Sequence, residues 1–182
     1  MIDTLDLVSR PEVVVYVGMS VDGFVARPDH SLDFLEVDTG GNDLGFADFL
    51  DSVDALVMGR TTFDTVIGFD VPWPYGDRPV LVPTHRPLPE ACPGTVMAVS
   101  GTPDEILSGL GNLGRVYVDG GATVQSFLAA GLVDRLILTT VPVLIGSGIA
   151  LFGGLEGDIQ LDLEAVRDFP NGIVQREYFV RR

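Results

Sequence analysis

Short apolar runs alternate with amphipathic segments along most of the chain. The continuous β-branched and aliphatic run at residues 13–19 is typical of a strand that is covered on both faces, as in a parallel sheet. Runs of similar length predict further strands at residues 55–59, 79–83, 95–100, 115–119 and 135–146. Each run is much shorter than the roughly 20 apolar residues that cross a bilayer, so we expect no membrane association.

Apolar residues recur at helical spacing between these runs. One such stripe consists of Phe46, Phe49, Leu50 and Val53, and another of Val124, Phe127 and Leu128, with Gly131 placed to end its helix. The segment TPDEIL predicts a third helix, with Thr102 as N-cap, Pro103 at the first position and Glu105 completing a capping box. Alternating strands and helices predict an α/β sheet with right-handed crossovers and helices on both faces.

The pattern changes near the C-terminus. Residues 158–166 alternate between apolar and polar, and the turn sequence PNG at 170–172 precedes a second strand-like segment at 173–180. This order predicts an antiparallel hairpin. We therefore expect one domain over residues 1–182, with a mostly parallel sheet that ends in an antiparallel edge.

Composition narrows the possible functions. Hydrophobic residues make up 46% and charged residues 20% of the 182 residues, which is typical of a globular protein. The formal charge of −15 argues against a nucleic-acid partner, and all 11 basic residues are arginine. One cysteine and two histidines, without metal-ligand spacing, predict no metal site. Residues 1–12 lack a secretory signal pattern, so we expect a cytoplasmic protein.

Two glycine-marked junctions between a strand and a helix stand out. Gly120 and Gly121 follow one apolar run, and Gly59 follows another, just before Arg60. Glycine lets an anion approach the backbone closely, and the N–H groups of a helix start can bind phosphate. The alternative interpretations are an ordinary tight turn and a solvated surface arginine. We expect Thr61 or Thr62 to cap the second helix.

A third loop, after the run at 79–83, carries Thr84, His85 and Arg86. Three such sites at the carboxyl ends of strands suit an elongated dinucleotide. The guanidinium groups of Arg60 and Arg86 could pair with an additional ribose phosphate, which would favour NADPH over NADH. A plain proline-bounded loop is the structural alternative.

Three segments together resemble the dihydrofolate reductase-like superfamily: VGMSVDGFVA, VMGRTTFD, and the long segment from VYVDGGATVQSF to GIALF. Within it, the chain is most similar to the C-terminal reductase domain of the riboflavin-biosynthesis deaminase-reductase and its stand-alone relatives. The resemblance implies a three-layer α/β fold, an NADPH cofactor and pairing of two copies through the sheet region. The zinc signatures of the fused deaminase, H-x-E and P-C-x-x-C, are absent from the sequence, which excludes deamination.

The resemblance also implies a set of site residues. For the cofactor these are Val17, Gly18, Ser20, Gly59, Arg60, Thr61, Thr62, Thr84, His85, Arg86, Gly120, Gly121, Ala122, Thr123 and Val124. For the substrate they are Phe24, Pro142, Val143, Leu144 and Gly146. Phe24 stands where riboflavin reductases usually carry a basic residue. The single tryptophan, Trp73, lies later than the tryptophan of dihydrofolate reductases, so neither substrate transfers directly.

The protonation step has two candidate residues. Asp22 lies on the loop that is expected to close over the nicotinamide, although an aspartate before Gly23 also favours a turn. Asp33 is the second carboxylate, with a helix N-terminal role as its alternative, and water could supply the proton instead. The aromatic residues Phe69, Trp73 and Tyr75 could line a flat-ring pocket or pack under a proline-rich loop.

The sequence thus predicts an NADPH-dependent oxidoreductase that transfers a hydride to a small heterocycle. The substrate classes are pteridines, pyrimidines and aminouracils, including 5-amino-6-(5-phosphoribosylamino)uracil. We expect a homodimer whose other partner is a small molecule. A non-catalytic NADP(H)-binding sensor remains the alternative, and a ligand-free dimeric scaffold is a third possibility.

Overall fold

Residues 10–182, which a computed structural model describes, form ten strands and four α-helices. The strands are β1 (Glu12–Ser20), β2 (Phe24–Ala26), β3 (Ala55–Met58), β4 (Val80–Pro83), β5 (Val96–Val99), β6 (Arg115–Asp119), β7 (Arg135–Val141), β8 (Ile149–Ala150), β9 (Leu161–Asp168) and β10 (Val174–Val180). The helices are α1 (Phe46–Asp51), α2 (Arg60–Ile67), α3 (Pro103–Gly109) and α4 (Gly121–Ala129). Short 3₁₀ turns cover Asp33–Leu35 and Pro170–Gly172.

Eight of these strands form one sheet in the order β5-β4-β3-β6-β1-β7-β10-β9. The first six strands in this order are parallel, and β10 is antiparallel to both β7 and β9. The prediction of a mostly parallel sheet with an antiparallel C-terminal hairpin is therefore confirmed. A small antiparallel pair, β2 with β8, lies apart from this sheet.

The two faces of the sheet carry separate hydrophobic clusters. Val13 and Val15 pack with Phe127 and Leu128 of α4 on one face. On the other face Val14 packs with side chains of α1 and α2, among them Phe49 and Phe63. This alternation along β1 follows from the two-residue period of a strand. The result is the predicted three-layer arrangement, with helices on both faces.

The start of α3 and the end of α4 match the sequence predictions, whereas the start of α2 does not. Thr102 caps α3, with Glu105 completing the capping box, and Gly131 adopts φ +67° after the end of α4. The prediction that Thr61 or Thr62 caps α2 is wrong, because Arg60 is already helical and Gly59 is the N-cap. The two hydroxyl groups consequently belong to the first turn of the helix.

The apolar run at 135–146 is not one strand, since β7 ends at Val141. Pro142 follows, and proline has no N–H to donate to a neighbouring strand. Residues 143–146 continue as a loop.

Among residues 10–182, no helix is long and apolar enough to cross a membrane. The same residues contain no group of three or more potential ligands that could hold a metal ion. Residues 1–9 lie outside the described residues. They include most of the N-terminal segment that was assessed for a secretory signal, and they are also part of the predicted 1–182 domain.

Candidate functional site

The two glycine-marked junctions lie side by side. β3 and β6 are parallel neighbours that pair Met58 with Asp119, so the residue after each strand reaches the same edge of the sheet. The Gly59 N–H donates to the Asp119 carbonyl oxygen at 3.0 Å. A Cβ at Gly59 would lie 2.7 Å from Thr123 Oγ1, and one at Gly120 would lie 2.5 Å from Thr62 Oγ1. Only glycine allows the two helix starts to approach this closely.

The first turns of α2 and α4 both point their N–H groups toward this junction. Neither helix has a side-chain cap, and Gly120 adopts φ +94° to turn the chain into α4. Four N–H groups at the start of a helix have no partner within the helix itself. The paired helix starts therefore offer backbone donors and a partial positive charge to an anion.

A cavity of about 600 Å³ opens over this junction. Most of the predicted cofactor residues line it: Val17, Gly18, Gly59, Arg60, Thr61, Thr62, Gly120, Gly121, Ala122 and Thr123. Val25 and Ala26, from the loop that was expected to close over the nicotinamide, also line it. The sequence analysis missed the rest of the lining: Tyr16, His30, Leu32, Leu35, Phe46, Thr65, Val66, Pro83, Tyr117, Asp119 and Ile149. Most of these lie in strands and helices that are distant along the chain, so no local sequence pattern predicts that they meet.

Arg60 connects this cavity to the third predicted loop. Its Nη1 donates to the carbonyl oxygens of Arg86 at 3.1 Å and Pro87 at 2.9 Å, and lies 3.5 Å from Thr84 Oγ1. The loop is thereby held against the start of α2. Thr84, His85 and Arg86 do not line the cavity itself, and His85 is exposed.

Two predicted cofactor residues point elsewhere. Ser20 is fully buried, and its hydroxyl accepts a hydrogen bond from the Phe24 N–H at 3.0 Å, which stabilises the turn between β1 and β2. Val124 is 1% exposed and packs in the hydrophobic cluster under α4.

Asp119 is the carboxylate in the cavity lining. Burial raises its pKa to about 6, although a hydrogen bond from the Gly120 N–H acts in the opposite direction. The Gly120 N–H lies 2.7 Å from Asp119 Oδ1. A carboxyl group that titrates near neutral pH can hold and release a proton under ordinary conditions. The sequence signal for it was a polar residue that ends an otherwise buried strand.

The two predicted proton donors lie outside the cavity lining. Asp22 accepts hydrogen bonds from the Gly146 N–H at 2.8 Å and the Ile145 N–H at 3.3 Å, and its pKa is lowered mainly by the Ser20 hydroxyl. Asp33 pairs with Arg27 at 2.6 Å, which lowers its pKa. Both carboxylates are exposed and organise loops next to the cavity.

The predicted substrate residues lie in or next to the loops that contact Asp22, and none of them lines the cavity. Phe24 pairs with Ala150 in the small β2–β8 ribbon, and the Val143 carbonyl oxygen accepts from the Val21 N–H at 2.9 Å. Leu144 is 70% exposed, and Gly146 binds Asp22 as described above. Pro142 lies at the end of β7. From this segment, Ile149 reaches the lining instead.

The aromatic residues around Trp73 form a packing cluster. The Trp73 ring lies 4.9 Å from Tyr75 and 6.2 Å from Phe63, with edge contacts in both pairs. Phe69 does not join them and is 46% exposed. None of these four rings lines the cavity, which agrees with the packing alternative.

Comparison with known proteins places the chain among relatives of similar length. It is 30% identical over 166 residues to the uncharacterized protein YwjB of Bacillus subtilis strain 168, covering 89% of this chain and 94% of that protein. It is 33% identical to a protein of Shewanella sp. PV-4 whose name assigns it to riboflavin biosynthesis. That crystal structure superposes with a TM-score of 0.87 and covers 94% of this chain and 99% of the other.

More distant structures share the fold. Dihydrofolate reductase from Enterococcus faecalis, in complex with NADP(H) and RAB-propyl, superposes with a TM-score of 0.66 at 17% identity, covering 94% of this chain and 97% of that one. The fold is thus dihydrofolate reductase-like. The sequence profile of the RibD C-terminal domain matches residues 11–175. The chain belongs to the RibD C-terminal domain family.

Proposed function

We propose that the protein is an NADPH-dependent reductase that transfers a hydride to a small planar heterocycle. The observation that carries this proposal is the junction of the two helix starts, Gly59–Thr62 and Gly120–Thr123, over one cavity. Membership of the RibD C-terminal domain family supports a reductase, and the fold shared with a dihydrofolate reductase that binds NADP(H) supports the cofactor.

The order of the strands sets the proposed direction of the cofactor. β4, β3, β6 and β1 are consecutive in the sheet, and each contributes its carboxyl end to the same edge. The adenosine end would lie at the loop after β4, near Thr84 and Arg86. The pyrophosphate would lie between the starts of α2 and α4, and the nicotinamide would lie at Val17 and Gly18 of β1. This assignment gives every part of the dinucleotide a partner of suitable chemistry.

The apolar part of the cavity is proposed to receive the nicotinamide and the substrate ring. Its walls include Tyr16, Val25, Leu35, Phe46 and Ile149. Flat apolar walls orient two stacked rings and exclude water, which is the protein's main contribution to hydride transfer. NADPH, when bound, supplies the hydride.

Asp119 is proposed to hold the proton that the reduced substrate needs. It lines the cavity, and its raised pKa keeps part of its population protonated near neutral pH. Asp22 and Asp33 lie outside the lining and have lowered pKa values, so we assign them to positioning of the neighbouring loops.

We further propose a homodimer that forms through β9. This edge strand exposes Leu163 and Val166 by 57% and 56%. A register shift in the β9–β10 ladder, which pairs Leu163 with Tyr178 and Val166 with Arg176, brings both side chains to one face. Antiparallel pairing of two β9 strands about their centre would place Asp162 opposite Arg167 and Leu163 opposite Val166. Opposite charges and apolar pairs then match a second copy.

The proposed activity is tested by mixing the protein with NADPH and a panel of pterins, flavins and aminouracils, with and without a ribosyl phosphate. We expect oxidation of NADPH with at least one planar heterocycle. The Asp119→Asn variant should bind NADPH normally but lose most of the turnover, since an amide cannot donate the carboxyl proton. Binding of NADPH without oxidation across the panel would support the sensor alternative and contradict the reductase.

A further inference from the structure

Two guanidinium groups beside the cavity share one carboxylate. Arg60 Nε donates to Asp64 Oδ1 at 2.8 Å, and Arg86 Nη2 donates to Asp64 Oδ2 at 3.4 Å. Asp64 lies four residues after Arg60 in α2, so the helix itself holds the carboxylate against the guanidinium. The three side chains therefore carry one net positive charge rather than two.

The two arginines differ in side-chain exposure and in the number of hydrogen bonds that they already donate. The Arg60 side chain is 14% exposed, and its Nη1 already donates to the carbonyl oxygens of Arg86 and Pro87. The Arg86 side chain is 64% exposed. A phosphate that arrives at this loop would meet mainly Arg86, with the Asp64 carboxylate next to it.

From this arrangement, and resting on the cofactor position in the proposed function, we propose that Asp64 weakens the discrimination between NADPH and NADH. A carboxylate next to the 2′-phosphate of NADPH repels it, and it also neutralises part of the charge that would attract it. The same carboxylate can accept a hydrogen bond from the free 2′-hydroxyl of NADH, as acidic residues do in other dinucleotide sites. Asp64 therefore reduces the preference for NADPH that Arg60 and Arg86 alone would create.

The substitution Asp64→Asn tests this role with little disturbance of the loop. The amide oxygen of asparagine can still accept the hydrogen bond from Arg60 Nε, and Arg60 keeps its bonds to the two carbonyl oxygens. The negative charge is removed, together with the 3.4 Å bond from Arg86 Nη2, which the amide nitrogen cannot accept. Asp158→Asn is the matched control, because Asp158 is an exposed carboxylate that accepts no hydrogen bond from any residue within 10–182.

Calorimetric titrations of the wild type and both variants with NADPH, NADH, 2′,5′-ADP and 5′-AMP measure the effect directly. We expect the ratio of the NADH to the NADPH dissociation constant to rise about tenfold in Asp64→Asn, as the loss of one nearby charge implies. The ratio for 5′-AMP over 2′,5′-ADP should rise in parallel, while Asp158→Asn should match the wild type.

Three results would overturn the assignment. A ratio that stays within about twofold of the wild type in Asp64→Asn, while both nucleotides bind, would contradict the role of Asp64 and leave the proposed reductase standing. An equal loss of affinity for all four ligands would show a purely structural residue. A wild type that binds none of the four ligands would overturn the cofactor position and this role together.

Discussion

The N–H of Gly59 donates to the carbonyl oxygen of Asp119 at 3.0 Å, across two parallel strands that are neighbours in the sheet. This bond continues the pairing of β3 with β6 and holds two helix starts next to each other. It also explains why glycine follows both strands, since a Cβ at either Gly59 or Gly120 would meet a threonine of the opposite helix. Two local motifs, far apart along the chain, thereby become one junction, which is the proposed phosphate site.

Alanine at position 120 should disrupt this junction. Its Cβ would lie 2.5 Å from Thr62 Oγ1, and φ +94° is unfavourable for a residue with a side chain. We expect Gly120→Ala to lower the free energy of unfolding by about 1–3 kcal/mol, as measured by urea denaturation, and to weaken NADPH binding.

Gly109→Ala is the control for this substitution. Gly109 ends α3, lacks a positive φ, and has open space where the Cβ would lie. This variant should keep the NADPH affinity of the wild type and be unchanged or more stable by up to about 1 kcal/mol. Equal effects of the two substitutions would contradict the proposed close approach at Gly120.

The stability of the protein should depend on the ionisation of Asp119. Burial raises the pKa of this carboxyl group from 3.8 to about 6, so the fold favours its protonated form. This contribution is fully present below pH 3.8 and is lost as the pH rises through about 6. The shift corresponds to about 3 kcal/mol.

Asp119→Asn removes the titrating group, so comparing this variant with the wild type isolates the contribution of Asp119 to the pH dependence of stability. The unfolding free energy of the wild type minus that of the variant should fall between about pH 4 and pH 7 and then remain constant. Denaturation curves of both proteins across this range provide the measurement. A difference that does not change with pH would show that Asp119 is not perturbed by its surroundings.

The proposed dimer predicts a specific effect of charge on β9. Leu163→Asp would place a carboxylate opposite Val166 of the second copy, so it should convert the dimer to a monomer at micromolar concentration. Light scattering coupled to size-exclusion chromatography measures the mass. Val71→Asp, at a residue that is 60% exposed outside the sheet, should leave the dimer intact. A monomeric wild type would contradict the pairing.

Local rules predicted most of the architecture. Thr102 and Glu105 specify the start of α3 through their own side chains. The continuous apolar run of β3 predicts a strand covered on both faces, and all four of its residues are buried. Such features depend on neighbours in the sequence. The start of α2 was misplaced because threonine is a preferred N-cap residue, whereas the helix begins at Arg60 with Gly59 as the N-cap, close to Thr123 of α4.

The site residues that follow a single strand were predicted from the sequence. The site residues that are brought together from distant segments were missed. Gly59 and Gly120 were identified from their strands, whereas the contact between them required the strand order. Asp119 was overlooked because its raised pKa arises from burial in the folded protein, which the residues next to it in the sequence do not show. The bonds of Asp22 to residues 145 and 146 likewise join two loops whose proximity has no sequence signal.

The most direct test of the cofactor site is an NMR titration of the isotope-labelled protein with NADPH. The largest changes in amide chemical shift should occur at the first turns of α2 and α4, at Arg60, Thr61, Gly121 and Ala122, with saturation at micromolar to submillimolar NADPH. Unchanged amide shifts at both helix starts, at millimolar NADPH, would contradict the account.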